Sequence, residues 1–462
     1  MFIVKAYTMP HPPLAVPSVG KGKESKGIKD TLKAMYDVAL EIAEIKPDTI
    51  IYITPHNTLY SDYFHISPGN SAKGDLGRFG APEEVFNTVY DEEMAERISR
   101  IAGNSEIPAG TQGERDPGLD HGVTVPMWFI NKHYKDYKSL RVSQSGMPST
   151  EHYMLGQIIS MAAESLGRKT VVIASSDLSH KLQEDAPYGY TPEGPEFDKM
   201  ITEALKEGDF LSLFKIPERI RDRAGECGYN SLMTMAGLFD GYDVESVLLS
   251  YEGPFGVGYA VASFAAVKEN ANRNILEQFV TSTLKELEKR RSAEDEYQEL
   301  ARKSLEHIIR TGKVLSIPNG LPVNMLSKRA GTFVSLHKNN RLRGCIGTIS
   351  PSTDNIATEI IQNAVSAGLN DTRFNPVSEE ELPYIIYKVD ILGEAEPVSG
   401  PEFLDVKRYG VIVTSGNRRG LLLPNLDGID TVDEQLNIAK QKAGIGQNEA
   451  VKLERFEVIR HE

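Results

Sequence analysis

Apolar runs in the first half of the chain are short, and each ends at a proline-rich or polar segment that carries a histidine. Ile50, Ile51, Tyr52 and Ile53 are β-branched or aromatic and follow Lys46-Pro47-Asp48. They predict a buried strand fed by a turn, broken at Pro55, with His56 just past its carboxyl end. Residues 2–8 repeat the pattern and lead into Met9-Pro10-His11-Pro12-Pro13, and residues 170–174 repeat it again before Ser175-Ser176-Asp177-Leu178-Ser179-His180. Between the first two runs, Leu32, Met35, Val38, Leu40 and Ile42 fall at helical spacing, with Asp30 placed to cap that helix and Pro47 to stop it. Residues 10–17 and 20–27 are rich in Pro, Gly and Lys and read as loop. The resulting β-loop-α-β unit recurs downstream, which predicts an α/β layered domain.

The polar stretch 57–80 contains Tyr60, Tyr63, Phe64 and His65 and predicts a surface hairpin, with a flap over the strand ends as the alternative. Asp120-His121 precedes an apolar segment at 123–130 that holds the only tryptophan. Further strands are expected at 140–143, 244–250 and 258–267, and helices at 152–166, at 194–206 and from Tyr229 through Leu238. Composition changes near residue 270. Over 281–313, Leu and Ile at helical spacing in a Lys/Glu/Arg background predict one or two amphipathic helices with a solvated face. Beyond them, strands at 332–337, 385–392, 410–414 and 451–459 alternate with helices at 355–367 and 432–443, an α+β pattern. The expected organisation is an α/β domain over 1–270, a helical junction over 271–289 and an α+β domain over 290–462.

Charge and composition narrow the classes. With 462 residues, 40% of them hydrophobic and 25% charged, the chain is long enough for two or three cores. A formal net charge of -14 argues against a nucleic-acid surface, because phosphate affinity comes from clustered Lys and Arg. Cys227 and Cys345 are the only cysteines and are far apart, so no disulfide framework is expected and a reducing cytosol fits. No apolar run approaches the roughly 18 residues that span a bilayer, and the first twenty residues lack a basic segment followed by an apolar one. A cytoplasmic protein without membrane association is the expectation.

Three strand ends that each release a histidine place three imidazoles around one crevice, because ligands of open α/β sheets bind outside the carboxyl ends of the strands. His11 and His56 are neutral-imidazole donors for a divalent metal. Glu226, in a Gly-flanked turn at the mouth of an apolar helix, is the expected third ligand, since a buried carboxylate is costly unless paired or metal-bound. Two histidines and one carboxylate leave three adjacent positions open on Fe(II). The neighbouring Cys227 is the rival ligand, and a thiolate there favours Zn or Cu(I). His180, with Asp177 three residues earlier to fix its tautomer, is the acid/base candidate; a helix-capping Asp177 beside a surface His180 is the competing reading. His121, taken alone, reads as a structural loop histidine. A hydrolase using Ser175 or Ser176 is a rival enzyme reading, and it lacks a Gly-x-Ser-x-Gly elbow.

Together, Met9-Pro10-His11-Pro12-Pro13, Ile53-Thr54-Pro55-His56, Gly118-Leu119-Asp120-His121-Gly122 with Val125-Pro126, and Ser175-Ser176-Asp177-Leu178-Ser179-His180 resemble the class III extradiol ring-cleavage dioxygenases, the LigB-like superfamily that includes the Memo proteins. The resemblance implies a central mixed sheet with flanking helices and a non-haem Fe(II) site. It also implies His11 and His56 as ligands with a carboxylate from the later helix entrance, His180 as acid/base, His121 on the substrate side, and a catechol-type aromatic with O2 as substrates. Zn or Cu is the alternative metal. Memo-type members carry a cysteine where the ring-cleaving enzymes carry a glutamate, and Glu226-Cys227 supplies both. The alternative function is therefore a metal-binding or scaffold protein without ring cleavage.

In the second half, Arg341-Leu342-Arg343-Gly344-Cys345-Ile346-Gly347-Thr348 is the densest constellation. A cysteine beside two arginines is expected to be a small buried residue in a tight turn, with a lowered pKa and a role as nucleophile or ligand as the alternative reading. Asp371-Thr372-Arg373-Phe374 adds a charged pair. With Asn375-Pro376-Val377 and Leu421-Leu422-Leu423-Pro424 these motifs resemble the AMMECR1 domain, making Arg343, Cys345, Asp371 and Arg373 its candidate residues. The two resemblances in this order match the AmmeMemoRadiSam system protein A architecture, which implies a radical SAM protein as partner. This chain has no CxxxCxxC run of its own. A homo-oligomer is compatible with this reading.

Overall fold

The computed structural model describes residues 1–21, 25–338, 341–426 and 428–462, and it divides into two compact units, Met1–Val280 and Thr281–Glu462. Part of the segment read as loop over 20–27 lies outside the described residues.

The first unit is built on a six-stranded mixed sheet. Its order is Lys138–Ser143, Thr49–Thr54, Thr170–Ser175, Ile3–Met9, Tyr259–Glu269 and Tyr242–Glu252. The first four are mutually parallel, and the last two join antiparallel. All six residues of Thr49–Thr54 are buried. Alternate side chains of a strand point to opposite faces, so Ile50 and Tyr52 enter one hydrophobic cluster and Ile51 and Ile53 the other. This is why the run is apolar without alternation: both faces are covered. The helices Lys29–Ile45 and His121–Ile130 cover one face, and Glu92–Asn104, Ser149–Leu166, Glu193–Glu207 and Tyr229–Gly237 cover the other. Two of the latter cross closely at glycines. A Cβ on Gly156 would lie 2.0 Å from the Thr234 carbonyl oxygen, and one on Gly237 would lie 1.9 Å from that of Tyr153.

Several local expectations are corrected. Asp30 is not the cap of Lys29–Ile45; the N-cap is Ile28, and Asp30 lies in the first turn, where its charge still complements the helix dipole. The proline-rich loop holds two helical turns, Pro13–Ala15 and Pro17–Gly20, each with proline in its first turn, where a missing amide proton costs nothing. The hairpin expected at 57–80 forms later, as Ser71–Leu76 paired with Ala81–Val89.

The second unit has two antiparallel four-stranded sheets. One runs Arg341–Gly347, Thr332–Lys338, Ile386–Leu392, Val458–His461, and the other Glu396–Val398, Lys452–Phe456, Gly410–Ser415, Arg418–Leu422. The single strand expected at 451–459 is thus two strands in different sheets. Residues 341–348, expected as a turn, contain a strand instead. The amphipathic region forms Ile275–Ser292 and Glu296–Thr311. The second of these buries Leu300, Ala301 and Leu305 in the core beneath the first sheet, so it is more than a solvated face. Among the described residues, no helix is long and apolar enough to cross a membrane.

Candidate metal centre

The four parallel strands point the same way, so the segments that leave their carboxyl ends converge on one rim. Met9 leads to His11, Thr54 to His56, Ser175 to Asp177 and His180, and Ser143 to Gln144. His11 is fully buried, while His56 lies at the surface of the crevice. Their Nε2 atoms are 2.9 Å apart with the rings edge to face. Cys227 Sγ is 3.6 Å from His11 Nε2, and one donor atom from each of His11, His56 and Cys227 lies within 4.8 Å of the others.

Glu226 is not in this group. Its Oε2 accepts from the Tyr229 amide at 2.6 Å, at the start of the helix Tyr229–Gly237, so the carboxylate closes that helix end instead of facing the histidines. Burial pushes its carboxyl up to about 7, against the lowering effect of that hydrogen bond. The adjacent turn is held by Gln144, whose Nε2 donates to the Cys227 carbonyl at 2.9 Å and to Ser231 Oγ at 2.7 Å. Burial raises the pKa of the Cys227 thiol, as do the charges of Asp177 and Glu226. A thiolate there needs a cation to balance it.

The donors fit a metal. Two nitrogens about 2.0–2.1 Å from one cation stand roughly 2.9–3.4 Å apart, and a thiolate at about 2.3 Å stands roughly 3.1–3.6 Å from either, for octahedral to tetrahedral angles. The tautomer also fits. Ser175 Oγ gives its only proton to the Gly122 carbonyl at 2.5 Å, so at His11 Nδ1, 2.9 Å away, it accepts. His11 therefore carries its proton on Nδ1 and presents the Nε2 lone pair to the site. Burial lowers the pKa of both His11 and His56, which keeps them neutral and able to bind a cation.

The other expected residues surround this point with partners different from those expected. Asp177 does not orient His180. Its Oδ1 accepts from the His11 amide at 2.8 Å and its Oδ2 is 3.8 Å from His11 Nε2, and burial pushes the carboxyl up to about 7. Nor does it cap a helix; Asp177 forms a single antiparallel β-bridge with Tyr259, and the segment that follows is pinned by the Ser179 amide to Asp198 Oδ1 and by the His180 amide to the Ala224 carbonyl. His180 Nδ1 is buried with no hydrogen-bond partner among the described residues, and Tyr188 meets the ring edge-on at 5.3 Å. His121 stacks on His56 at 4.1 Å, with Phe79 edge-on at 5.2 Å; burial, then His56 and Arg78, bring its pKa down to about 3. Ser175 is committed to His11 and Gly122, and Ser176 Oγ pairs with Thr8 Oγ1 at 2.5 Å, so neither hydroxyl is set as a nucleophile. Gln144, Phe79 and Tyr188 were not found from sequence. Gln144 alone had a signal, its place just past the strand expected at 140–143.

Comparison with known proteins matches this architecture. Residues 5–262 match the family model described as the catalytic LigB subunit of aromatic ring-opening dioxygenase, and residues 298–461 match the AMMECR1 model. The chain belongs to the LigB family, fused to an AMMECR1 domain. A Clostridium acetobutylicum protein, Protein CA_C1420, is 42% identical over 463 residues, covering 98% of each chain. A Thermotoga maritima protein is 49% identical over 170 residues, 36% of this chain and 98% of that relative. The crystal structure of uncharacterized protein PH0010 from Pyrococcus horikoshii covers 36% of this chain and 88% of its own, at 31% identity and a TM-score of 0.34.

In the AMMECR1 unit the four candidate residues are neighbours. Cys345 lies on the strand Arg341–Gly347; its amide donates to Asp371 Oδ2 at 2.9 Å and its carbonyl accepts from Arg373 at 3.2 Å. Asp371 and Arg373 pair at 2.6 Å and clamp that strand. Arg343 forks onto Glu381 at 3.0 and 2.9 Å, a structural ion pair. The lowered pKa that the reactive reading of Cys345 requires is not found: burial raises it, and Ser335, Arg373 and Lys442 offset this only in part.

Proposed function

We propose that the LigB unit is a metal-dependent, dioxygenase-like oxidoreductase for a small catechol-type aromatic, with the metal held by His11, His56 and Cys227. The observation that carries this is the convergence of those three donors at the carboxyl rim of the sheet. Iron bound there would supply the redox capacity that brings an aromatic diol and O2 together. The protein's share is orientation and proton handling. Ser175 fixes the His11 tautomer. Phe79 and Tyr188 present aromatic edges beside His121 and His180, suited to a flat ring. His180, kept neutral by burial, is the imidazole we assign to accept a substrate hydroxyl proton.

A second reading is favoured by one specific observation, the thiol where a carboxylate was expected. A His2Cys set is softer and suits Zn or Cu(I), which supports a Memo-like metal-binding protein without ring cleavage, working with a radical SAM partner. Under either reading we assign the AMMECR1 unit to binding or modifying a product or partner, and the cytoplasm as the setting, where the free thiols Cys227 and Cys345 stay reduced.

Anaerobic reconstitution with Fe(II), followed by oxygen uptake with a panel of catechols, separates the two. Uptake abolished by His11→Ala or His56→Ala supports the enzyme, and His180→Ala should then lose turnover while retaining iron. Stoichiometric metal with no uptake supports the second reading.

A further inference from the structure

The strand Thr332–Lys338 of the AMMECR1 unit is buried on one face only. Val334 and Leu336 enter the core, while Phe333, Ser335 and His337, on the alternate positions, line a cavity of about 790 Å³. The volume is in the range of small-molecule sites, roughly 300–1,000 Å³. Its opposite wall comes from the second sheet, at Gly420, Leu421 and Leu422, and from Lys442 at the end of the helix Val432–Lys442.

The lining is apolar and cationic. Phe333, Ile349, Leu421 and Leu423 give it an oily surface, and five Lys or Arg side chains face it against two acids, Asp390 and Glu462. Both acids are already matched: Arg460 Nε is 2.8 Å from Asp390 and Lys388 Nζ is 2.6 Å from Glu462. Arg373 and Arg419 pair with Asp371 and Glu454, which are outside the lining. Lys442 has no ion pair among the described residues, and Arg373 is one of the groups acting on its amine. His337 Nδ1 is buried with no hydrogen-bond partner among the described residues. The lining thus carries more cations than acids, and the Lys442 ammonium, at an exposed helix end, has no acid to balance it among the described residues. A ligand with a negative head balances that excess.

We propose that this cavity binds a small amphiphilic anion, a carboxylate or phosphate head on an apolar body, with Lys442 as the principal charge partner and Phe333, Ile349 and Leu421 against the body. The site lies within the AMMECR1 unit and is independent of the metal reading. Cys345 lines the same cavity, 3.2 Å from Ser335 Oγ, and so reports on occupancy.

The test uses the full chain with benzoate, cinnamate and phenyl phosphate, each set against its neutral counterpart, benzyl alcohol, cinnamyl alcohol or phenol. Binding is measured by calorimetry, and alkylation of Cys345 by iodoacetamide is followed by peptide mass spectrometry, which separates it from Cys227. We expect at least one anion to bind tenfold or more tightly than its neutral partner and to slow Cys345 alkylation. Its affinity should fall tenfold or more in Lys442→Gln and recover in Lys442→Arg. No binding by any of the three anions, equal binding of acid and alcohol, or an unchanged affinity in Lys442→Gln overturns the proposal. Both variants alter an exposed helix end, and an unchanged thermal transition shows that they are folded.

Discussion

Ser175 Oγ sits between His11 Nδ1, 2.9 Å away, and the Gly122 carbonyl, and its single proton is given to the carbonyl. The hydroxyl therefore sets which nitrogen of His11 carries the proton, and leaves Nε2 as the metal-facing lone pair. Ser175→Ala removes that constraint without touching a donor atom. Metal affinity should fall roughly 10–100-fold, the usual cost of losing the partner that orients a ligating histidine. Competitive metal titration measures it, and an unchanged affinity would mean that Ser175 has no part in presenting His11.

Glu226 and Cys227 are adjacent in sequence and opposite in expected effect. Cys227→Ala should abolish stoichiometric metal binding, whereas Glu226→Gln should bind as the parent does, because the amide oxygen can still accept from Tyr229. Glu226→Ala should cost about 1 kcal/mol through the lost helix-end hydrogen bond, or roughly 2–4 °C in Tm for a unit of this size. Metal loss in Glu226→Gln, read by elemental analysis, would return the carboxylate to the donor set.

Asp198 gives a pH dependence away from the metal donors. It is buried, accepts from the Ser179 amide at 2.8 Å and from the Tyr251 hydroxyl at 2.7 Å, and burial pushes its carboxyl up from 3.8 to about 7. The folded state then holds a proton that the unfolded state has released. Its contribution to stability is full below about pH 4 and is lost as pH rises through about 7. Asp198→Asn cannot titrate, so denaturant unfolding at pH 5 and pH 8 should differ less in the variant than in the parent. An equal difference in the two proteins rules Asp198 out as the source.

The close crossing of Ser149–Leu166 and Tyr229–Gly237 links packing to the site, because the second helix begins two residues after Cys227. In Gly156→Ala the new methyl would meet the Thr234 carbonyl oxygen at 2.0 Å, so the helices must separate. The expected loss is about 1–3 kcal/mol of stability, with weaker metal binding as the turn shifts. A Tm and metal affinity equal to the parent's would show that the crossing tolerates the methyl group.

The apolar runs at 49–54, 2–8 and 170–174 were legible because a strand covered on both faces must be apolar throughout, and that pattern survives in one dimension. His11 and His56 were legible for a related reason: in an open parallel sheet, residues just past a strand's carboxyl end lie at the binding rim. Asp30, the strand at 341–347 and the break between 456 and 458 were misread because caps and register depend on which backbone groups meet, and neighbours in space decide that. The sequence alone thus established the two-part architecture, the strands and the histidines at their ends. Only the tertiary structure decided which neighbour of the pair Glu226-Cys227 faces those histidines. A turn can aim either side chain at the crevice, and here Glu226 accepts the Tyr229 amide at 2.6 Å, which leaves the sulfur facing His11.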